Sequence, residues 1–526
     1  MYQCRGVLLY MCRKRKDETM TETEFKPSKY QQDFFDWIKT GTGSCILDAV
    51  AGSGKTTSLV QGLKYMPRGD DKLLLAFNKT IATELQEKTR GIAGVNAATV
   101  HSYGFAQYRK YAKRVTVDGD KMWKILDNYL ERAIPEPMER RLWKSKNASH
   151  VLTLVAHAKS YCIGVICELD DEIAWTNLVD HFDMEEDLPS NWFTVCQWLL
   201  KKSIAVEDII NYDDMIYMPL YVNVACDQYD WVLLDEAQDT NSSRRLLAER
   251  ALRKNGRLVA VGDPYQAIYG FTGASHDAID QIQNRFKAVS LPLSVCYRCA
   301  ELIVAEAQEL VPHIQSFEGA DKGKVKYCEY EQMLEKVKPG EAILCRNNAP
   351  LVKATYALIA AKRPAKMIGR DIGGGLAKLA TKWKINQLDD YKAKLHSWSS
   401  DQIQKAIDED RGAVASRIED QRNTMDVFLE HCGEEDITTT KGLAQYIRNF
   451  FAEKETPNCI YLSSVHKAKG AEWETVWLLG RDAYMPAVYA TLDWEKEQED
   501  NLIYVAITRA MKRLIYVEAE KKNDDN

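Results

Sequence analysis

Residues 44–57 read Ser-Cys-Ile-Leu-Asp-Ala-Val-Ala-Gly-Ser-Gly-Lys-Thr-Thr, and the parsing of this stretch decides the fold. Cys45–Val50 is a short, mostly apolar run of the kind that forms a buried parallel strand. Ala51, Gly52, Ser53 and Gly54 then turn the chain, and Lys55-Thr56-Thr57 opens a helix. Small residues let main-chain N–H groups approach phosphate oxygens, and a helix N-terminus adds a favourable dipole. In that arrangement Lys55 would neutralise the β- and γ-phosphates, and the Thr56 hydroxyl would ligate Mg²⁺. A strict phosphate loop has glycine where Ala49 stands, so the match is Gly-Lys-Thr with a relaxed start. The competing reading is an ordinary glycine-containing strand–helix turn.

A chain of 526 residues exceeds a single core, and about three or four domains are expected. Hydrophobic residues make up 45% and charged residues 28%, the balance of a soluble globular protein. A net charge of −6 gives no overall pull toward nucleic acid, so a DNA or RNA track must use a local basic surface. Of 13 cysteines, only Cys296 and Cys299 form a Cys-x-x-Cys pair. With no second pair or histidine at zinc spacing, packed or free thiols in a reducing compartment are expected. Near the start, Gly6–Cys12 is apolar, but the charges of Arg13–Lys16 come after it, so neither a targeting segment nor a membrane span is read there. Residues 1–20 are expected to be a flexible extension, with Met20 as an alternative start, and residues 521–526 a polar tail.

Along the chain, Pro27–Ile38 reads as a helix with Phe34, Phe35 and Ile38 on one face. Lys72–Phe77 is a second strand, with Asn78-Lys79 and a helix to Glu87 after it, and Ala97–Ser102 is a strand-to-loop unit. A polar, helix-patterned insertion covers roughly Phe105–Ile210. The sheet resumes at Asp230–Leu234 and runs into Asp235-Glu236-Ala237-Gln238-Asp239. Two carboxylates beyond a buried strand suit hydrolysis: Asp235 to hold Mg²⁺, Glu236 to orient and deprotonate the attacking water. After the strand Arg257–Val261, Gln266 could bond the γ-phosphate or that water, and Tyr269 and Phe271 could offer ring faces to unpaired bases. Either ring alone is as readily a core residue. A second α/β set comes next, with strands at Ala288–Val295, Ala342–Cys345, Ile460–Ser463, Thr475–Leu479 and Leu514–Val517. Gly373-Gly374-Gly375 is read as a loop opening a helical, charged insert that ends near Glu455.

Taken in order, AGSGKTT, DEAQD, GDPYQAIYGFTGA, VHKAKGAEWE and YVAITRA resemble the motif set of the UvrD/Rep-type superfamily 1 helicases, and look closest to the F-box DNA helicase branch and its phage relatives. The resemblance runs from Gln31 to about Val517, the two inserts excepted. It implies an α/β fold class: two RecA-like domains with parallel sheets, each carrying a mainly helical insertion, with ATP bound between them. The implied division is 21–104 with 211–285 for the first RecA-like domain and 105–210 for its insertion. The second domain is 286–370 with 456–520, and its insertion 371–455. The nucleotide cradle is Ala51–Thr57. The resemblance further assigns Gln31 to the adenine edge, Tyr297 to stacking on the base, Glu472 to the ribose side, and Gly470 to the nucleotide-binding set. Arg298 and Arg509 would reach the γ-phosphate, where a planar guanidinium stabilises spread charge. For the nucleic-acid track it points to Asn78, Lys79, Thr99, His101, Tyr269, Phe271 and His466; the two histidines read equally well as core residues.

The function this resemblance implies is that of an ATP- and Mg²⁺-dependent translocase on single-stranded DNA and single-strand/duplex junctions. It would work in the cytoplasm (a host's, if phage-encoded), with no membrane partner. The Ile-Tyr-x-Phe-x-Gly-Ala ending is typical of the 3′→5′ branch. Thr272 stands where these helicases commonly have arginine, and the second insertion is shorter than in UvrD itself. The rivals are a translocase that strips proteins with little unwinding, a nucleotide-gated DNA clamp without turnover and, more distantly, a small-molecule kinase.

Overall fold

In the first sheet, alternate side chains point to opposite faces, and both faces are apolar. Leu47, Leu74, Leu233, Val259 and Val261 enter one core with Phe34, Phe35 and Leu59. Ile46, Leu73, Leu75, Val232, Leu234 and Ala260 enter another with Val100, Tyr103 and Leu247. Covered parallel sheets need this two-sided burial. The computed structural model describes residues 25–519 apart from 183, 185–187, 269–277, 409–411, 434–435, 453–457, 489 and 491–492. The expected N-terminal extension and C-terminal tail lie outside the described residues.

These residues fall into two compact units, one of Pro27–Val50 and Gly54–Leu293, the other of Ser294 onward together with Ala51–Ser53. In the first unit the strands of the six-stranded sheet are β1 (Cys45–Ala49), β2 (Lys72–Ala76), β3 (Val95–Thr99), β4 (Tyr229–Leu234), β5 (Leu252–Gly262) and β6 (Val289–Leu293). They lie in the order β3-β2-β4-β5-β1-β6, all parallel. Helix α1 (Lys29–Thr40) precedes β1, and α2 (Lys55–Gly62), α3 (Lys79–Lys88) and α4 (Val100–Tyr111) follow β1, β2 and β3 in turn. A capping box between Ser28 and Gln31 starts α1 two residues later than the sequence reading has it. The expected loop after β3 is instead the first turn of α4: Thr99 caps it, accepting from Ser102 N, while Ser102 Oγ accepts from Thr99 N.

Between α4 and β4 lies a helical layer: α5 (Lys121–Ala133), α6 (Pro137–Ser160), α7 (Glu172–His181), α8 (Trp192–Ala205) and α9 (Asp214–Tyr221). It has its own core around Leu126, Leu154, Trp175 and Leu199. Helix α10 (Ser242–Arg250) comes after β4.

The second unit carries β7 (Lys324–Cys328), β8 (Ala342–Cys345), β9 (Ala365–Ile368), β10 (Ile460–Ser464), β11 (Trp473–Leu479) and β12 (Ala510–Val517), parallel in the order β7-β12-β11-β8-β10-β9. Helices occupy most of the stretch from Arg370 to Phe450. Their Leu376, Ala377, Phe428 and Ile447 share one core with Ile343, Leu462 and Trp477 of the sheet. The glycine triplet is not a loop. Gly373, Gly374 and Gly375 sit inside α11 (Arg370–Ala380), whose Leu376, Ala377 and Ala380 are buried. Burial of that apolar face outweighs the poor helix propensity of glycine.

Candidate active site

Beyond β1 the backbone takes left-handed conformations at Gly52 (φ 69°) and Gly54 (φ 77°), which glycine adopts without steric cost. Gly54 is also the N-cap of α2 and offers no capping side chain, so the N–H groups of the first turn stay available. Two polar atoms here, Ser53 Oγ and Lys55 Nζ, are buried without a hydrogen-bond partner. The nearest counter-charge to Lys55 is Glu236, whose Oε2 lies 3.7 Å from Nζ, an ion pair beyond hydrogen-bond reach. A buried ammonium with no acceptor is costly, and a polyphosphate is the kind of ligand that relieves it.

Asp235 and Glu236 stand directly after β4. Burial, then the neighbouring Glu236 charge, pushes Asp235 up to about 7. Glu236 is a non-glycine residue at φ 52°, a strained conformation of the sort that collects at functional sites. Its Oε2 accepts from Gln238 Nε2 (2.6 Å), and Gln238 Oε1 accepts from the Asp263 N–H (3.0 Å). Asp263 Oδ2 in turn accepts from Gln266 Nε2 (2.7 Å). The expected water-activating carboxylate and phosphate-sensing glutamine thus belong to one hydrogen-bonded chain. Its two middle members, Gln238 and Asp263, were not singled out from the sequence; their signal was their place inside the DEAQD and GDPYQ stretches. Burial raises Asp263 to about 6.

Thr56 and Thr57 lie half-buried in the first turn of α2. The donor set fits a divalent cation in part: Thr56 and Asp235 are a hydroxyl and a carboxylate, the hard oxygen ligands magnesium takes beside nucleotide phosphates. Among the described residues there is no cluster of three or more His, Cys, Asp or Glu placed to hold a metal by itself. Gln31 is buried; its Nε2 donates to Ser58 Oγ (3.0 Å) on α2, and its Oε1 accepts from Ser28 N.

The second unit gathers another group. Arg298 Nε pairs with Glu472 Oε2 at 2.7 Å. Arg509 is buried, donating from Nε to the Val505 carbonyl and from Nη1 to the Ala471 carbonyl. Burial, then the Arg298 charge, lowers it to about 10, so it stays cationic at neutral pH. Gly470, at φ 87°, turns the chain just before Glu472. The exposed Tyr297 ring stands 5.1 Å from the Phe317 ring, centroid to centroid; Phe317 was not anticipated. Cys296 and Cys299 are buried free thiols, Cys299 N donating to Cys296 Sγ.

Of the expected track residues, Asn78 and Thr99 cap α3 and α4. Lys79 and Asn78 are exposed, and His101 is half-buried in the first turn of α4. Burial lowers His101 to about 4 and His466 to about 3, so both are neutral imidazoles at physiological pH. Tyr269, Phe271 and Thr272 lie outside the described residues. No helix among the described residues is long and apolar enough to cross a membrane.

Comparison with known proteins agrees. The UvrD/REP helicase N-terminal domain family model matches residues 31–287, and the UvrD-like helicase C-terminal domain model matches residues 379–521. F-box DNA helicase 1 of Gallus gallus is 26% identical over 55% of this chain and 29% of that protein. The ATP-dependent DNA helicase PcrA of Staphylococcus epidermidis is 22% identical over 91% of this chain and 82% of its own length. The ATP-dependent DNA helicase srs2 of Schizosaccharomyces pombe is 24% identical over 50% and 32% respectively. The chain therefore spans less than a third of the first and last of these relatives and about four-fifths of PcrA. With family models on both units and the motif residues carried on two parallel sheets, the chain belongs to the UvrD/Rep-type superfamily 1 helicases, ATP-hydrolysing enzymes that act on DNA.

Proposed function

We propose that this chain is a motor that hydrolyses ATP to move 3′→5′ along single-stranded DNA and to open duplexes at single-strand/duplex junctions. The observation that carries the hydrolytic part is Lys55, a buried ammonium with no hydrogen-bond acceptor, 3.7 Å from the carboxylate next to Asp235. In this reading Ser53 and Lys55 bind the phosphates, while Glu236, steadied by Gln238, accepts a proton from the attacking water. Gln266 leaves Asp263 for the γ-phosphate or that water. Arg298 and Arg509 supply guanidinium charge to the phosphoryl oxygens, an effect worth about 10³–10⁵ in rate in related chemistry. A magnesium ion held by Thr56 and Asp235 would neutralise phosphate charge. Support for a DNA track comes from the PcrA and srs2 likeness, and support for direction from the Ile268-to-Ala274 ending.

Phosphate release measured with and without oligodeoxythymidylate tests the motor, and unwinding of duplexes tailed at either end tests its direction. Hydrolysis should rise several-fold with the oligonucleotide, and the 3′-tailed duplex should open. Equal hydrolysis in both conditions refutes the motor, and opening of the 5′-tailed duplex alone refutes the direction.

A further inference from the structure

Arg244 lies in the first turn of α10, nine residues beyond Asp235. Its guanidinium carbon stands 4.9 Å from the centre of the Phe77 ring, and Nη1 donates to the Asp239 carbonyl at 3.0 Å. Among the described residues it forms no ion pair; Asp239 and Asp213 act on it only at longer range. Yet it is half-buried, and burial lowers its pKa. Enclosed charges in proteins are ordinarily paired, and a guanidinium that stays cationic without a carboxylate is poised for an anion from outside. Its surroundings favour one. Ala76 of β2 is in register with Thr99 of β3, so α3 and α4 begin side by side at the same sheet edge, with the positive ends of their dipoles there. The Arg244 charge also bears on His101 in the first turn of α4.

Building on the motor reading above, we propose that Arg244 is a direct ligand for the phosphate backbone of the bound single strand, seated beside Phe77 and His101. A guanidinium presents five donors in a fixed fork, and only Nη1 is spent on Asp239, so the remaining edge can accept a phosphate bidentately. The hydrogen bond to Asp239 also ties this contact to the carboxylate stretch through one short piece of chain. Arg244 would therefore report strand occupancy to Glu236 and Gln238 without touching the nucleotide.

Binding of a fluorescent oligodeoxythymidylate across a salt series reads the contact. One phosphate contact on a single strand contributes about 0.7 to the slope of log K against log salt. Arg244→Gln keeps a donor for the Asp239 carbonyl but loses the charge; it should lower the slope by about 0.7 and weaken binding at low salt. Arg244→Lys should retain the slope, because the charge is kept. A slope unchanged by Arg244→Gln overturns the assignment. Should Arg244→Gln melt too early to be assayed, Arg244→Lys decides, and a slope lowered by about 0.7 in that variant also overturns it. A wild-type chain with no affinity for the oligonucleotide would sink the motor reading, whereas intact binding with an insensitive slope sinks this contact alone.

Discussion

Lys55 shows how a single side chain can be costly for the folded chain alone and necessary for chemistry. Its ammonium is buried and makes no hydrogen bond; Glu236 at 3.7 Å is its ion-pair partner, and its charge also bears on Asp235 and Asp263 at longer range. Removing an unsatisfied buried group relieves its desolvation penalty. Lys55→Ala should therefore leave the ligand-free melting temperature unchanged or raised. Hydrolysis should fall by at least about 10²–10³-fold, the loss expected when a donor aimed at transition-state charge is removed. Phosphate release and a thermal melt with and without ATP check both halves. A variant that hydrolyses normally, or that melts well below the wild type, contradicts this account. At this scale the sequence was informative wherever chemistry needs a fixed residue type, as at Lys55, Asp235 and Glu236. It was silent on Arg244 and Asp263, whose significance comes from what the fold packs around them.

Elements were legible where an apolar run is buried on both faces, as in Cys45–Ala49, Lys72–Ala76 and Ala342–Cys345. The edge strands of the second sheet escaped notice for the opposite reason. Lys324–Cys328 and Ala365–Ile368 are mostly half-buried or exposed, so they carry no continuous hydrophobic signal. The glycine triplet in α11 misled for a third reason: local propensity was outvoted by tertiary burial. That conflict separates its members. A Cβ at Gly373 would stand 2.6 Å from Phe451 Cβ, whereas Gly374 and Gly375 have nothing within 4 Å. Gly374→Ala should stabilise by about 0.5–1 kcal/mol, because a helical glycine gives up more backbone freedom than alanine. Gly373→Ala should destabilise, since the helix must move away from Phe451. Urea denaturation of the two variants reads the contrast, and equal effects would mean that the close approach does not set the helix position.

Over the whole first unit, the helical layer is joined to the sheet through α9. Ile216 and Leu220 of that helix enter the core that lines the sheet, while Tyr217 and Met218 enter the core of the helical layer. At its start sits Asp214, fully buried, with Lys159 Nζ 2.6 Å from Oδ1 and Lys121 Nζ 2.8 Å from Oδ2. Burial alone would raise this carboxyl; the two ammonium groups, Lys159 foremost, hold it below its ordinary value. Lys121 also donates to the carbonyls of Ser203 and Val206, and Lys159 to Ser203 Oγ. One carboxylate thus closes α5, α6, the end of α8 and α9 into a single node. Replacing a whole buried ion cluster by apolar residues is often tolerated, but removing one partner leaves uncompensated charge. Here the asymmetry is sharper than usual, because one anion serves two cations. Asp214→Asn strands both lysines and should cost roughly 3–5 kcal/mol. Lys159→Met leaves the Lys121 pair in place and should cost less. Tryptophan fluorescence during urea unfolding, with Trp175 and Trp198 inside the helical layer, tracks this part of the molecule. It should show that layer opening at lower denaturant in Asp214→Asn than in Lys159→Met. An Asp214→Asn chain within about 1 kcal/mol of the wild type, far below the cost of an unpaired buried charge, would mean that apolar packing alone joins the layer to the sheet.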